Sequence, residues 1–258
     1  MPSSLTVLGS CGAWPEPGRA CSGFLLEHDG SRIVLDLGYG TATRLLAALG
    51  STAADGLDAV VVTHQHPDHM TDLHALLRAR WFGRRGAPAM PLLAPEGVLA
   101  ALIALEDGDR TAVHQVFRWQ PIPAPPQQAG PFRLDSTPLP HSVPNAGVRL
   151  TAAGLTVAYT GDTGPSPALA DLGRDADLYI MDATSRDQQP SAPAAPAGPP
   201  INLTAREAGQ AAAAAGARRL LLTHFWPGND RRASGADAAA AFGGEVLLAE
   251  EGLTIQLP

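Results

Sequence analysis

Within the stretch Thr63-His64-Gln65-His66-Pro67-Asp68-His69 the chain places three imidazoles and a carboxylate. Neutral imidazole nitrogen and carboxylate oxygen are the donors that borderline divalent cations take up, so this stretch reads as a metal-ligand cluster. On a turn leaving a strand, His64 and His66 can reach one ion. Asp68 and His69, at the start of the following helix, can reach a second. Four side chains do not saturate two ions, so further ligands are expected downstream, again at strand ends. Three isolated polar residues fit. His141 follows the strand and turn Ser-Thr-Pro-Leu-Pro, Asp162 sits in Tyr159-Thr160-Gly161-Asp162-Thr163, and His224 closes Leu221-Leu222-Thr223-His224. His28, His74 and His114 lie outside this pattern and read as ordinary surface or core histidines.

These residues act together only if the fold brings them to one place. An apolar strand over 58–63 runs straight into the histidine cluster, and Pro67 suits the first turn of a helix that continues over 72–80. Upstream, short strands are expected over 5–8, and over 22–27 and 32–37 about a turn at His28-Asp29-Gly30. A helix over 41–49 stops at Gly50. Downstream the pattern predicts a strand over 90–93, a helix over 95–105, a Pro-rich loop over 121–131 and strands over 132–137, 148–151 and 155–159. A buried strand over 177–182 follows, then a helix over 205–215 opened by Thr204 and Glu207 as a capping box, and a strand over 220–223. The Pro/Ala-rich stretch 187–200 reads as a mobile surface loop. No internal repeat is evident. The pattern fits two packed sheets with helices outside, in a single domain over 1–258.

Composition narrows the function classes. All 18 basic residues are Arg, and the net charge of -7 disfavours a non-specific nucleic-acid binder, which needs a basic footprint. With 45% hydrophobic residues the chain supports a sizeable core. Cys11 and Cys21 are too few for a disulfide scaffold or a structural zinc module and read as reduced thiols of a cytoplasmic protein. No basic segment followed by an apolar one opens the chain, and no apolar run approaches the roughly 20 residues of a membrane helix, so no membrane association is expected.

The motif HxHxDH, followed in order by a histidine, Gly-Asp-Thr and Thr-His-Phe, resembles the metallo-β-lactamase superfamily. Within it the chain looks like the ribonuclease Z-like, compact phosphodiesterase branch. Leu35-Asp36-Leu37-Gly38 adds to the resemblance, which covers essentially the whole chain. It implies an α/β fold, the four-layer αββα sandwich. It implies that His64, His66 and His141 hold one metal, that Asp68, His69 and His224 hold another, and that Asp162 bridges them. Asp36 would support the histidine loop. Two zinc ions per chain are implied, and the donor set also accepts manganese or iron.

The reaction class that follows is metal-assisted hydrolysis, with a metal-activated hydroxide as nucleophile and Asp68 also orienting it. A bridging Asp disfavours lactam cleavage. Asp162 lies only 21 positions after His141, so the long arm with which tRNA-processing relatives grip their substrate is missing. The family's protonating histidine falls at Asn202, which can donate a hydrogen bond but supplies no proton, and its acidic partner falls at Asp182. Asp68, Asp182 and Asn202 are thus the candidate catalytic residues. The expected activity is a phosphodiesterase on a small phosphodiester such as a cyclic nucleotide. The alternative is a lactone, ester or thioester hydrolase; a tRNA 3′-endonuclease and an inactive metal-binding protein rank below. The expected partner is a small anionic substrate, with no stable nucleic-acid complex, and a homodimer follows the habit of relatives. Arg78, Arg80, Arg84 and Arg85 read either as a phosphate guide or as a solvated helix end.

Overall fold

The computed structural model describes residues 3–106, 110–188 and 198–258. The strands β1 (Ser3–Gly9), β2 (Gly23–His28) and β3 (Ser31–Leu37) form an antiparallel meander. Helical crossovers then feed three strands parallel to β3. Helix α1 (Thr41–Leu49) leads to β4 (Ala59–Val61). Helices α2 (Pro67–Met70) and α3 (Leu73–Gly83) lead to β5 (Met90–Ala94), and α4 (Glu96–Leu105) and α5 (Arg110–Val116) to β6 (Phe117–Pro121).

The second half repeats this plan. Strands β7 (Gln127–Ala129), β8 (Phe132–Leu139), β9 (Asn145–Ala152) and β10 (Leu155–Tyr159) run antiparallel in turn. Helix α6 (Ala168–Leu172), β11 (Leu178–Asp182), α7 (Ala205–Ala215), β12 (Arg219–Thr223), α8 (Arg231–Ala239) and β13 (Glu245–Leu248) follow as parallel crossovers. Finally β14 (Thr254–Leu257) crosses back to pair with β1. The two seven-stranded sheets are ordered β14-β1-β2-β3-β4-β5-β6 and β13-β12-β11-β10-β9-β8-β7. The sequence carries no visible repeat, yet each sheet has an antiparallel half followed by a parallel half.

Strand periodicity explains the layering. Side chains alternate across a strand, so Phe24 and Leu26 enter the core between the sheets while Leu25 faces the helices on the outer side. Ile33 and Leu35 alternate with Val34 in the same way, and Leu178 and Ile180 with Tyr179 and Met181. The outer face of the first sheet is covered by Leu45, Leu73, Leu77, Val98, Leu102 and Val113 from its helices. Alanines of α7 with Leu169, Leu172 and Ala238 cover the second. The result is the αββα sandwich that the resemblance implies.

Several elements differ from expectation. The helix foreseen over 72–80 starts at Leu73 and runs to Gly83, separated from the short α2, and the Pro-rich stretch 121–131 contains β7. Helices α5, α6 and α8 and strands β6, β13 and β14 were not signalled by periodicity. Of the loop expected over 187–200, positions 189–197 lie outside the described residues. No helix among the described residues is long and apolar enough to cross a membrane. Both cysteines are buried and free, and burial pushes both thiols upward.

Candidate metal centre

Each sequence-predicted ligand emerges at a carboxyl end of a strand. His64 lies three residues beyond β4, His141 two beyond β8, Asp162 three beyond β10 and His224 one beyond β12. Pro67 occupies the first turn of α2 and so presents Asp68 and His69, both buried, at the helix start. Strands of both sheets contribute, so the candidates meet where the two layers open onto the same edge.

They form two groups. His64, His66, His141 and Asp162 make one; Asp68, His69, Asp162 and His224 make the other; within each, the ligand atoms all lie within 4.8 Å of one another. In the first group His66 Nδ1 stands 3.1 Å from His64 Nε2 and 3.0 Å from His141 Nε2. Asp162 Oδ2 is 3.9 Å from each of the latter two nitrogens. In the second, His224 Nε2 lies 3.1 Å from Asp68 Oδ2 and 3.0 Å from Asp162 Oδ2, and His69 Nε2 lies 3.2 Å from Asp162 Oδ1.

The donor set fits divalent cations on two observations. First, the outward ring nitrogens are engaged by other groups. His69 Nδ1 donates to Asp36 Oδ2 at 2.7 Å and His141 Nδ1 to the Ile201 carbonyl at 2.8 Å. His64 Nδ1 meets Thr63 Oγ1 at 3.1 Å and His224 Nδ1 meets Thr184 Oγ1 at 2.9 Å. Protons assigned to these outward nitrogens leave the inward Nε2 of each ring, in its neutral form, with a lone pair for a cation. Second, His69 Nε2 and Asp162 Oδ1, 3.2 Å apart, are buried yet make no hydrogen bond with each other or with another group, which is costly unless a further group completes them. Converging lone pairs and an orphaned carboxylate oxygen suit a cation.

The local charges are strongly biased. Burial lowers His64, His66 and His141 below the usual imidazole range. Burial opposes protonation of His69 and His224 too, but Asp162 and Asp68 overcome it. They hold His69 well above its ordinary value and push His224 up to about 10. Burial would raise Asp68 and Asp162, yet the two histidines keep both carboxyls well below the carboxylate range.

A second tier of residues fixes the first. Asp36, fully buried and at φ 56°, accepts from Thr63 N at 2.7 Å, Thr63 Oγ1 at 2.9 Å, His69 Nδ1 at 2.7 Å and Tyr159 Oη at 2.7 Å. It thereby ties β3, the histidine loop and β10 of the opposite sheet at one carboxylate. Asn145 Nδ2 donates to the carbonyls of Thr160 and Asp162 at 3.0 and 2.7 Å, holding the Asp162 loop. Gly161 sits at φ 59°, and a Cβ there would come within 2.6 Å of Asn145 Oδ1 and 2.7 Å of Thr63, so glycine is required. Ala13 N donates to Asp68 Oδ2 at 2.7 Å. Sequence reasoning singled out Asp36 but not Thr63, Asn145, Tyr159, Thr184 or the backbone of Ala13 and Ile201. Thr63 and Tyr159, adjoining the histidine cluster and Thr-Gly-Asp, carried a visible hint.

Asp182 ends β11, fully buried, and its Oδ2 accepts from Leu203 N at 3.0 Å and Asn202 Nδ2 at 3.2 Å. Burial, with Asp162 adding to it, pushes its carboxyl up to about 8. Neither Asp182 nor Asn202 joins a ligand group, but Asn202 directly follows Ile201, whose carbonyl orients His141.

The four arginines do not serve this site, and the phosphate-guide reading is corrected. Arg80 donates to the Ala54 carbonyl at 3.1 Å and Arg84 pairs with Asp55 at 3.0 Å. Both partners precede β4, at the end opposite His64. There Arg80, Arg84, Arg85 and His114 line a separate cleft of 680 Å³. Arg78 and His74 share Glu106, at 3.1 and 2.6 Å, at the end of α4.

The geometry agrees with comparisons to known proteins. A family model described as the beta-lactamase superfamily domain matches residues 31–225. "Probable metallo-hydrolase YhfI" of Bacillus subtilis is 29% identical, over 96% of this chain and 97% of that protein. Its crystal structure superposes with a TM-score of 0.84 at 26% identity, covering 99% of this chain and 100% of that one. A ribonuclease Z of Kineococcus radiotolerans is 30% identical, over 93% of this chain and 90% of that protein. A diphosphatase from the PhnP family shares the fold, with a TM-score of 0.75 at 19% identity over 98% of this chain and 97% of that one.

Proposed function

The chain belongs to the metallo-β-lactamase superfamily, and from that premise we propose that it is a dinuclear-metal phosphodiesterase acting on a small phosphodiester such as a cyclic nucleotide. The observation that carries the reading is Asp162, one carboxylate common to both ligand groups. A carboxylate shared by both groups would hold two cations side by side, which is the requirement for clamping a phosphoryl group. His64, His66 and His141 would hold one ion and Asp68, His69 and His224 the other, zinc being the best match to this donor set. When bound, such ions supply an acidified water and positive charge against the phosphoryl oxygens.

The chain's own residues do the rest. Asp68, fixed by Ala13 N, orients the attacking water. Asp182 holds the amide of Asn202, the residue after the Ile201 carbonyl that orients His141, and that amide can donate a hydrogen bond to a leaving oxygen but not a proton. The similarity to a ribonuclease Z supports phosphodiester chemistry, and the short His141-to-Asp162 connection favours a small anionic substrate over a folded RNA.

Asn202 also favours one second reading. A lactone, ester or thioester whose leaving group is weakly basic needs no acid at that place. Assays of the zinc-loaded protein on bis(p-nitrophenyl) phosphate and cyclic nucleotides, beside p-nitrophenyl esters and lactones, separate the two. Chelator-sensitive phosphodiester turnover is expected. Ester or lactone turnover alone would replace the first reading with the second.

A further inference from the structure

Two tryptophans adjoin, along the chain, residues that hold or belong to the candidate metal centre, and neither is a ligand. Trp14 is one of the few large apolar side chains exposed among the described residues, with half of its surface accessible. Trp226 is half-buried, and their ring centroids lie 6.1 Å apart at an interplanar angle of 49°. Trp14 directly follows Ala13, whose N–H donates to Asp68, and Trp226 lies two residues beyond His224. Both rings are therefore a few ångströms of backbone from candidate ligands of the same group.

The loops carrying them are cross-tied. Gly12 N donates to the Phe225 carbonyl at 3.0 Å and Trp226 N to the Thr184 carbonyl at 3.1 Å. Glu16 Oε1 accepts from Gly228 N at 3.0 Å, and Glu16 Oε2 sits 3.5 Å from Arg231 and 3.7 Å from Arg19. Gly12 lets the backbone pass against the His224 imidazole, where a Cβ would stand 2.6 Å from the ring. Ala13 adopts φ 61°, and Pro15 stiffens the chain after Trp14. An exposed indole on a loop tied this firmly gains little from its own fold, since half its surface stays in water. A rigid flat face beside a charge-binding centre is what a ligand with a planar ring and a phosphate can use, because every base has a π-face to stack.

We propose that Trp14, buttressed by Trp226, is the platform on which a nucleobase of the substrate stacks while its phosphate lies at the metal centre. This rests on the phosphodiesterase reading and sharpens it to nucleotide substrates. Trp14 selects the base-bearing substrate, and the ties through Glu16 and Gly12 position the ring.

The test is calorimetric titration of the zinc-loaded protein with adenosine 5′-monophosphate and with ribose 5-phosphate, which differ only in the base. The nucleotide is expected to bind roughly tenfold tighter or more. Trp14→Ala should remove that difference while leaving ribose 5-phosphate affinity and metal content unchanged, and Trp14→Phe should restore most of it. Equal or undetectable binding of the two ligands overturns the platform, as does a Trp14→Ala variant that weakens both alike. So does a Trp14→Ala variant that splits an oligomer in sedimentation, since a second copy of the chain would then cover the ring. Parallel assay on phosphodiesters keeps the two proposals apart. Trp14-dependent nucleotide binding without phosphodiester cleavage retains the platform and removes the reaction. Cleavage with no base preference does the reverse.

Discussion

At the scale of single residues, the imidazoles of the candidate centre divide by charge. Asp162 and Asp68 favour the charged form of His69 and His224, while burial favours the neutral form of His64, His66 and His141. Ligation requires unprotonated nitrogen, so metal uptake near pH 7.5 should release about two protons per chain. The sign follows: the folded values of His69 and His224 are raised, so affinity should climb as pH rises toward about 10 for His224. Zinc titration in buffers of different ionisation heat measures the release, and a value near zero contradicts this charge assignment. Asn202 makes a second prediction. Its amide stands 3.2 Å from Asp182 Oδ2, so an imidazole placed there finds a carboxyl ready to orient it. Asn202→His should raise turnover about a hundredfold for poor leaving groups, the lower edge of general-acid effects, and little for p-nitrophenolate. An equal gain on both would mean the missing acid is irrelevant.

At the scale of elements, the site is built from strand ends and the loops that tie them. Asn145 opens β9 and yet holds the turn after β10, joining two neighbours that antiparallel pairing alone leaves free beyond Tyr159. Asn145→Ala strands two carbonyls, at a cost of about 1–3 kcal/mol for each one left unsatisfied. The expected result is a lower unfolding midpoint together with loss of metal by elemental analysis. A midpoint change with full metal content would show that Asn145 stabilises the fold without placing Asp162. Elements bounded by clear punctuation were legible in the chain. The glycine-stopped α1 and the capping box of α7, with Thr204 and Glu207 bonded reciprocally, stand as expected, and the apolar run ending at His64 forms a strand over 59–61, shorter than the expected 58–63. Helix α8 was not legible because it packs through small residues. Gly209 of α7 meets Ala238 so closely that a Cβ would lie 2.5 Å from its carbonyl, and only Ser234 and Ala238 of α8 are buried. A helix without an apolar stripe gives no period to detect.

At the scale of the molecule, the candidate ligands come from four separate chain segments spread over both sheets. Such a centre exists only in the folded chain, so metal binding is coupled to folding. Removing metal with a chelator should lower the unfolding free energy by an amount that depends on free metal, about 4 kcal/mol at a thousandfold excess over the dissociation constant. Differential scanning calorimetry before and after dialysis reads it. An unchanged transition after verified metal loss would place the ions outside the folded site. Asp36 makes the same point within one residue, because Tyr159 from the second sheet and Thr63 from the first both donate to it.

The ligand types and their order along the chain were set by sequence alone. Histidine and aspartate in that spacing have little other use, so their chemistry is written in residue identity. What only the tertiary structure decided is everything that depends on where backbone and distant side chains arrive. The Ala13 amide and the Ile201 carbonyl are groups that nearly every residue possesses, and no sequence marks the ones that will meet Asp68 or His141. The arginines at the end of α3 show the converse. Their composition suits phosphate, but a helix of eleven residues carries charge away from its own start as surely as it connects to it. Proximity in space, not in sequence, left them at the wrong end of the sheet and brought Trp14 and Trp226 together from two distant segments.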